Sequence, residues 1–390
     1  MTAMLADPVT EAVAAARELL TRRTGASVTL VDPVDLGGSG RTVVIRVRVA
    51  ENPFQLPRTL VIKQVRDSAT ESVTRTGLGA GDDTAFLREA VSYQFATALA
   101  TDTRPGPALI AYDLKERLLV LSDLGDAAPF TSLIAHPDPA SVTNSLMALA
   151  QALGRMHAAT FGREEDFGAL LGRAGVGHTR DGLSDQVADA VADVPTMLSA
   201  DLGIEVPPRI AEAVTRAAKL FGSGGHRAFS PSDLCPDNII VNDEGVRFLD
   251  YEWGGFRDAT LDVAYTLMSY PGCLCRLDLT PERAEAMVDA WRAEVVGIWP
   301  HLYDDDVLHS TLLDAQLVWA WLTTHWFLPD DDTRNAALRR HHLSVPRSVA
   351  LTARWSILSE YARFVGHAEI ADFAGAVVGG LSARWSDTTS

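Results

Sequence analysis

The loop SPSDLCPDN, at Ser230 to Asn238, carries two side chains of the kinds that bind metals or accept protons. Asp233 offers a carboxylate and Asn238, five residues later, offers an amide oxygen. The apolar run IIV follows directly, so both groups come just before a predicted strand. Functional groups are often carried on loops that a rigid element holds in place. A loop of this composition can also be purely structural, so its meaning depends on residues elsewhere in the chain.

Four further features that could bind phosphate or a metal, or position such groups, occur along the chain. In chain order they are a glycine-rich turn between two predicted strands (Gly37, Gly38, Ser39 and Gly40), Lys63 in LVIKQV, Glu89 in FLREAVSYQF and Asp250 at the end of VRFLD. Taken alone, each has a simpler explanation, as a hairpin turn, an edge-strand lysine, a surface glutamate or a turn cap. Together they supply what phosphoryl transfer from ATP needs: backbone cover over phosphates, a cation, oxygen ligands for magnesium and a base.

The elements that must position these groups divide the chain into two parts. Apolar residues at helical spacing predict a helix that starts at Val9 and ends by Gly25. Strand-like runs follow around GGSGR, at RTLVIKQV and in PALIAYDLKERLLVLSDLG, with one predicted helix, AFLREAVSYQFATALA, among them. Beyond Gly125 helical periodicity dominates, and one hairpin, NIIV-NDEG-VRFLD, interrupts it. We therefore predict an α+β fold with an antiparallel sheet in residues 1–125 and a mainly helical part in residues 126–390.

Composition argues against some classes of protein. The formal net charge of −17 at pH 7 opposes binding to nucleic acid, because phosphate backbones attract clustered Lys and Arg. No apolar run is long enough to span a membrane, and the N-terminus lacks the pattern of a signal peptide. The three cysteines, Cys235, Cys273 and Cys275, are odd in number and have no metal-ligand spacing. We expect a reduced, cytoplasmic protein with neither nucleic-acid nor membrane partners; its oligomeric state is not indicated.

Several segments together resemble the aminoglycoside phosphotransferase and choline kinase family, whose fold is similar to that of protein kinases. The catalytic loop of that family usually reads HGDLHPGN, and PSDLCPDN takes its place here. FLREAVSYQF is similar to its glutamate-bearing helix, LLVLSDLGD to its hinge, LGRMHAATF to the helix before the catalytic loop, and FLDYEWGGFRDATLDVAY to its magnesium loop. The resemblance implies a two-lobed protein-kinase-like fold, with a nucleotide-binding lobe at residues 1–125. Residues 126–390 would hold the catalytic loop and the acceptor site.

The resemblance also implies roles for the catalytic and metal-binding residues. Asp233 would orient the substrate hydroxyl and accept its proton. Asn238 and Asp250 would bind Mg²⁺, which prefers hard oxygen ligands and keeps several waters.

The nucleotide, ATP or GTP, would be held by further residues. Lys63 would contact its phosphates, and an ion pair with Glu89 would fix the position of that lysine. The turn from Gly37 to Gly40, which includes Gly38 and Ser39, would cover the phosphates, although its spacing departs from G-x-G-x-x-G. Adenine would bind to backbone groups near Ser122 and Leu124.

The catalytic loop departs from the family pattern at four positions. Pro231 and Ser232 replace the first His and the first Gly, and Cys235 and Asp237 replace the second His and the second Gly. Proline restricts the backbone and removes an amide donor. Cys235 is expected to be a small filler, because nothing nearby in the sequence would lower its pKa. Three other polar groups, His157, Asp258 and Asp262, are expected to pack and anchor rather than to meet substrate.

These features predict a Mg²⁺-dependent kinase that moves the γ-phosphate of ATP or GTP to a hydroxyl of a small molecule. The first expectation for the acceptor is an aminoglycoside or another amino-bearing natural product. The acidic runs at 304–306 and 330–332 and the tryptophan-rich VWAWLTTHWF would suit an amine, but they also fit a solvated loop beside a helical core. The basic segment at 339–342 would instead suit an anion or end a helix. A nucleotide-binding regulatory protein that has lost catalysis is the alternative, and a protein-serine kinase is a third option.

Overall fold

The computed structural model describes residues 7–38, 42–51, 56–66, 79–101, 103–175, 182–271, 277, 279–329 and 345–386. The chain forms two compact units, of which the first comprises residues 1–127, 166–178 and 249–254 and the second residues 128–165, 179–248 and 255–390. The first is built on an antiparallel sheet and the second is mainly helical. The predicted α+β class is confirmed.

The first unit contains a five-stranded sheet and two long helices. Its elements are α1 (Pro8–Thr24), β1 (Thr29–Gly37), β2 (Thr42–Glu51), β3 (Thr59–Val65), α2 (Gly79–Thr97), β4 (Leu109–Asp113) and β5 (Leu118–Ser122). The strand order is β1-β2-β3-β5-β4, and every neighbouring pair is antiparallel. The helix α2 begins at Gly79, whereas the sequence predicts a start at Ala85. The residues before Ala85, GAGDDT, have no apolar periodicity that would predict a helix.

The helix α1 packs against the sheet of the first unit. Asp7 caps its N-terminus through the amide of Val9, and Gly25 ends it in the left-handed conformation, with φ of 74°. Buried alanines and leucines recur along one face of the helix and join a core made with the strand residues. Small side chains on this face let the helix lie close to the sheet.

The second unit is a set of helices with two small sheets. Its elements are β6 (Ala128–Pro129), α3 (Phe130–Ile134), α4 (Pro139–Thr160), α6 (Gly182–Leu202), α7 (Pro208–Ala218), α8 (Leu220–Ser223), β7 (Arg227–Ser230), β8 (Ile239–Asn242), β9 (Gly245–Phe248), β10 (Gly255–Asp258), α9 (Thr260–Ser269), α10 (Pro281–Val295), α11 (Asp305–Phe327), α12 (Arg347–Phe364) and α13 (Ala368–Ser386). The helix α5 (Glu164–Arg173) lies at the chain boundary between the two units. Short 3₁₀ helices occupy Pro236–Asn238 and Pro300–Tyr303.

Two short antiparallel pairs frame the loop that holds Asp233. The predicted hairpin is confirmed as β8 and β9, which pair from Ile239↔Phe248 to Asn242↔Gly245. A second pair, between β7 and β10, was not predicted, because strands of four residues that are distant in sequence leave little periodicity to read. The loop therefore starts at the end of one pair and leads into the other.

The helix α11 forms the centre of the helical unit. Most of its residues from Leu308 to His325 are buried, including Trp319 and Trp321. It packs against α6, α7, α9 and α12. Within the described residues, no helix is both long enough and apolar enough to cross a membrane.

Candidate active site

Three predicted site residues meet in the first unit. Lys63, on β3, donates hydrogen bonds from Nζ to Glu89 Oε1, on α2, and to Asp250 Oδ1, just after β9; both distances are 2.6 Å. The Glu89 side chain is 3% exposed and that of Lys63 13%, whereas that of Asp250 is 38% exposed. One ammonium group is thus shared by a buried carboxylate and by a carboxylate that faces solvent.

The electrostatics of this cluster follow from burial and from its excess negative charge. Burial disfavours the ammonium form of Lys63, but Asp250 and Glu89 outweigh this effect and hold its pKa well above the ordinary value. Burial raises the pKa of the Glu89 carboxyl to about 7, although Lys63 opposes the shift. A single ammonium cannot neutralise two carboxylates, and the buried one retains the larger desolvation penalty.

We expect Glu89 to make stability fall as the pH rises from about 4.5 to about 7. Its folded pKa lies above its ordinary value of 4.5, so the folded state binds more protons than the unfolded state in that window. At about 1.4 kcal/mol per pKa unit, the free energy of unfolding should lose roughly 3 kcal/mol through this group. Urea unfolding between pH 4.5 and 8 should show that Glu89→Gln lacks this decline; equal slopes for the two proteins would refute the shift.

The backbone at Asp250 is held in an unusual conformation. Its φ is 58°, in the left-handed region that few residues other than glycine, asparagine and aspartate adopt. The Tyr93 hydroxyl lies 3.0 Å from the Asp250 amide and accepts its hydrogen bond. Tyr93 also stacks on Tyr251, with ring centroids 4.5 Å apart. Both tyrosines were missed by sequence reasoning, since buried aromatic residues in a helix and after a strand read as core.

The glycine-rich turn requires glycine at one position for a steric reason. Gly38 has a φ of 153°, and a β-carbon there would collide with the Thr42 carbonyl. Gly37 has a φ of 93°, and its amide donates to the Asp35 carboxylate at 2.8 Å. Ser39 and Gly40, the other residues predicted here, lie outside the described residues. A phosphate-covering role for this turn stays a prediction.

The predicted adenine contacts lie where β5 ends. The Ser122 amide donates to Ala108 O at 2.8 Å, and the Ser122 hydroxyl accepts from the Ala108 amide at 2.8 Å. Arg46 holds the next residues, with Nη2 3.0 Å from Asp123 Oδ1. The Ser122 amide and hydroxyl thus join the end of β5 to the chain just before β4, and adenine binding near Ser122 and Leu124 stays a prediction.

In the second unit, Asp233 and Asn238 lie on one short loop. The Asp233 Oδ1 atom accepts from the Cys235 amide at 3.2 Å and lies 3.5 Å from the Tyr265 hydroxyl. The backbone amide of Asn238 donates to Cys235 O at 2.8 Å, and this hydrogen bond closes the 3₁₀ turn. The loop thus orients the Asp233 carboxylate and presents the Asn238 side chain at the start of β8.

A buried hydrogen-bond network lies beneath this loop. Trp291 Nε1 donates to His157 Nδ1 at 2.9 Å, so the His157 proton sits on Nε2 and is donated to Asp262 Oδ2 at 2.9 Å. Ser230 donates to Asp262 Oδ1 at 2.6 Å. The expected anchoring role of His157 and Asp262 agrees with these contacts. Sequence analysis missed Ser230 and Trp291. Nothing in the sequence pairs Trp291 with His157, which lies 134 residues earlier in the chain.

Asp250 and Asn238 have the donor chemistry that Mg²⁺ prefers. One offers a carboxylate that is 38% exposed and the other an amide oxygen. Within the described residues, no group of three or more His, Cys, Asp or Glu side chains is arranged for a metal. Mg²⁺ keeps several waters and needs few protein ligands. Taken separately, Asp250 in the first unit and Asn238 in the second each offer an oxygen donor that fits the chemistry of this ion.

The sequence of this protein matches a known family of enzymes. The model of the phosphotransferase enzyme family matches residues 84–300, which is more than half of the chain. This protein belongs to the phosphotransferase enzyme family. The match includes Glu89, the loop with Asp233 and Asn238, and Asp250. The predicted family is thereby confirmed.

This phosphotransferase was also found to be similar to solved structures of kinases and of a phosphotransferase. A choline/ethanolamine kinase family protein from Mesorhizobium loti has 15% identity and a TM-score of 0.47, covering 94% of this chain and 98% of that one. Choline kinase from Streptococcus pneumoniae has 12% identity and a TM-score of 0.47, covering 88% and 99%. A mutant aminoglycoside 2′-phosphotransferase in complex with GDP has 13% identity and a TM-score of 0.47, covering 93% and 99%. No curated protein matches the sequence.

The His157 network should stabilise the helical unit of this phosphotransferase. His157→Leu would keep most of the side-chain volume but would leave Asp262 and the Trp291 indole each without one partner in a buried setting. We expect the free energy of unfolding to fall by about 2–3 kcal/mol, as for other hydrogen bonds to charged groups. Urea unfolding should show this loss, whereas the exposed control His367→Leu should change it by less than about 0.5 kcal/mol.

Asp258 is buried and hydrogen-bonded to its neighbours, as expected of a residue that anchors the chain. Its carboxylate accepts from the His226 amide at 3.0 Å and from the Thr260 hydroxyl at 2.6 Å. Burial opposes ionisation, but the hydrogen bonds and charge of His226, together with Thr260, prevail and lower the pKa of Asp258. It anchors the segment where β10 ends and α9 begins.

The other segments singled out for the acceptor have structural roles or lie outside the described residues. Asp304 caps α11 through the Asp306 amide at 2.9 Å, and Asp305 pairs with Arg292. Trp319 and Trp321 are core residues of α11. Residues 330–344, which include the second acidic run and the basic segment, lie outside the described residues, as do Cys273 and Cys275. Cys235 carries a half-buried thiol.

Proposed function

We propose that this phosphotransferase transfers the γ-phosphate of ATP or GTP to a hydroxyl group of a small molecule, with Mg²⁺ as cofactor. The observation that carries the proposal is the cluster in which Lys63 contacts both Glu89 and Asp250 at 2.6 Å. A lysine fixed by a buried glutamate beside a solvent-facing aspartate is the arrangement that positions nucleotide phosphates and their metal.

On the donor side, Lys63 would contact the phosphates while Glu89 keeps its ammonium group in place. Asp250 and Asn238 would hold Mg²⁺, which neutralises charge on the phosphates when it is bound. Gly37, Gly38 and the two residues after them would cover the phosphates with backbone amides. The nucleotide base would bind to backbone groups near Ser122 and Leu124.

On the acceptor side, Asp233 would carry the catalytic role. Its carboxylate would orient the hydroxyl of the acceptor and take its proton as the new oxygen–phosphorus bond forms and ADP leaves. The Cys235 amide, which donates to Oδ1 at 3.2 Å, fixes the direction of the carboxylate. Positioning of this kind supplies much of the catalysis in phosphoryl transfer, because the protein does little covalent chemistry.

We propose an aminoglycoside or another amino-bearing natural product as the first acceptor class to test. Two features support it: the net charge of −17 favours cations, and the half-buried Tyr265, whose hydroxyl lies 3.5 Å from Asp233 Oδ1, places one aromatic ring near that carboxylate. The Tyr265 ring packs edge to face against the buried Trp319, with ring centroids 5.3 Å apart. Aromatic faces bind ammonium groups through cation–π contact. Sugars, nucleosides, amino alcohols and macrolides remain acceptors to compare.

The proposal is tested by release of nucleoside diphosphate from Mg·ATP and Mg·GTP across a panel of these acceptors. Release that depends on one acceptor class and that Asp233→Asn abolishes would establish the kinase and its substrate class. Nucleotide binding without release for any acceptor would favour the non-catalytic alternative. The separate roles of residues 1–125 and 126–390, the cytoplasmic location and the absence of nucleic-acid and membrane partners stay predictions.

A further inference from the structure

The residue before Asp233 is held in a strained turn. The Asp233 amide donates to Pro231 O at 2.9 Å, which closes a three-residue turn centred on Ser232. The φ of Ser232 is 67°, so this is the rare form of γ-turn that has a positive φ at its centre. A β-carbon disfavours that conformation, and strained residues of this kind persist only where surrounding contacts fix them.

A buried arginine supplies such a contact. Arg257 is 1% exposed, and its Nη1 atom donates to the Ser232 hydroxyl. The Ser232 amide donates to Ser230 Oγ at 3.0 Å, and the two serine oxygens are 3.1 Å apart. Both the side chain and the backbone of Ser232 are therefore tied down within the unit that holds Asp233.

The pairing of β7 with β10 explains why the guanidinium can reach this turn. In the register of the pair, Gly255 lies opposite Ser230 and Arg257 lies opposite Ala228. Side chains two residues apart on a strand share a face, so Arg257 points to the same side as Ser230. A β-carbon at Gly255 would come within 3.3 Å of Arg257 Nη2. Glycine at this place leaves room for the guanidinium beside the loop.

The hydrogen-bond donors can be assigned along the whole chain of contacts. Ser230 gives its proton to Asp262 Oδ1, so Ser232 gives its proton to Ser230 and its oxygen accepts from Arg257. His157 meets the same Asp262 carboxylate from the other side. Arg257 therefore extends a buried network up to the residue that precedes Asp233.

We infer that Arg257 and Ser232 form a positioning pair, which fixes the backbone turn that aims the Asp233 carboxylate at the acceptor hydroxyl. The inference rests on the proposed function, because it assumes that Asp233 acts on that hydroxyl. The family pattern has Gly at the centre of this turn, whereas this chain has Ser232 and anchors it with the buried Arg257. Neither residue touches the reacting groups, so both act through Asp233.

Two substitutions at Ser232 separate this role from general stability. Ser232→Ala keeps the β-carbon but removes the anchor, whereas Ser232→Gly removes the anchor and the conformational penalty together. We expect Ser232→Ala to lower kcat by about 10- to 100-fold, as for a small misplacement of a catalytic group, with KM for ATP unchanged. Ser232→Gly should retain at least roughly tenfold more activity than Ser232→Ala, because glycine adopts positive φ without help.

Arg257 is tested by the same logic. Arg257→Met should lower kcat, and the double variant with Ser232→Gly should recover much of the loss, which a general packing defect would not permit. Amide hydrogen exchange of residues 231–235 gives a readout independent of turnover: exchange should rise in Ser232→Ala and in Arg257→Met, and less in Ser232→Gly.

The outcomes distinguish this inference from the proposed function. Equal kcat and equal exchange for Ser232→Ala and Ser232→Gly would overturn the positioning pair, and this comparison holds even if Arg257→Met does not fold. If the parent protein transfers phosphate to no acceptor, the proposed function fails and the catalytic part of the inference fails with it. The exchange data would then still show whether Arg257 and Ser232 fix the turn.

Discussion

Replacing Asp233 by Asn is expected to lower kcat by about 10²- to 10⁴-fold, which is the usual contribution of a positioned proton acceptor. Asparagine has nearly the same shape and can still accept from the Cys235 amide, so the loop should keep its conformation. It cannot take the proton of the acceptor hydroxyl. The Kd for Mg·ATP should be nearly unchanged, because in the proposed mechanism Asp233 contacts the acceptor and not the nucleotide. Steady-state kinetics and nucleotide titration of the same preparation check both parts.

A matched control for Asp233→Asn is Asp243→Asn. Asp243 lies in the exposed turn between β8 and β9, so this change removes the same charge from the same region without touching the loop. Its activity should equal that of the parent. If Asp233→Asn retained parental kcat, or if Asp243→Asn lost as much, the catalytic role of Asp233 would be wrong.

Asp250→Asn is expected to have the second large effect, a loss of about 10²- to 10³-fold or more in kcat/KM, comparable to removing one group that stabilises transition-state charge. Asparagine tolerates the left-handed backbone at this position, so the contact with Tyr93 should survive. The negative charge that would hold Mg²⁺ is lost, and Lys63 keeps only Glu89 as its carboxylate partner.

The metal dependence of nucleotide binding distinguishes Asp250 from the other residues. In the parent, Mg²⁺ should strengthen ATP binding, and in Asp250→Asn this strengthening should be much smaller. Asp233→Asn should keep the parental Mg²⁺ dependence, which makes the two variants controls for each other. Identical Mg²⁺ dependence in Asp250→Asn and the parent would exclude Asp250 as a metal ligand.

Much of the first unit was predictable because its signals are local. Lys63 lies in the predicted strand β3, Glu89 in the predicted helix α2 and Asp250 two residues after the hairpin strand β9, although α2 begins earlier than its pattern predicts. The structure adds that the three side chains meet. Sequence order alone could not establish that contact, because it depends on the strand order of the sheet.

The support of the Asp233 loop could not be predicted in the same way. Arg257 is in a four-residue strand whose partner, β7, lies about 30 residues away, and its register decides that the guanidinium reaches Ser232. Two local signals did exist: an arginine in the glycine-rich GGFRD, and Ser232 where the family pattern has glycine. Neither identifies the other as its partner without the fold.

The close approach at Gly38 constrains how this protein can change. A library of substitutions across Leu36 to Gly38, selected for folded and active protein, should be uneven. The Leu36 side chain is exposed and should accept many residues, whereas Gly38 should return only glycine, since any β-carbon meets the Thr42 carbonyl. Adaptation of this turn to a new nucleotide therefore has to proceed through the residues next to Gly38. Deep mutational scanning would show that position 38 accepts only glycine while the exposed position 36 accepts many residues.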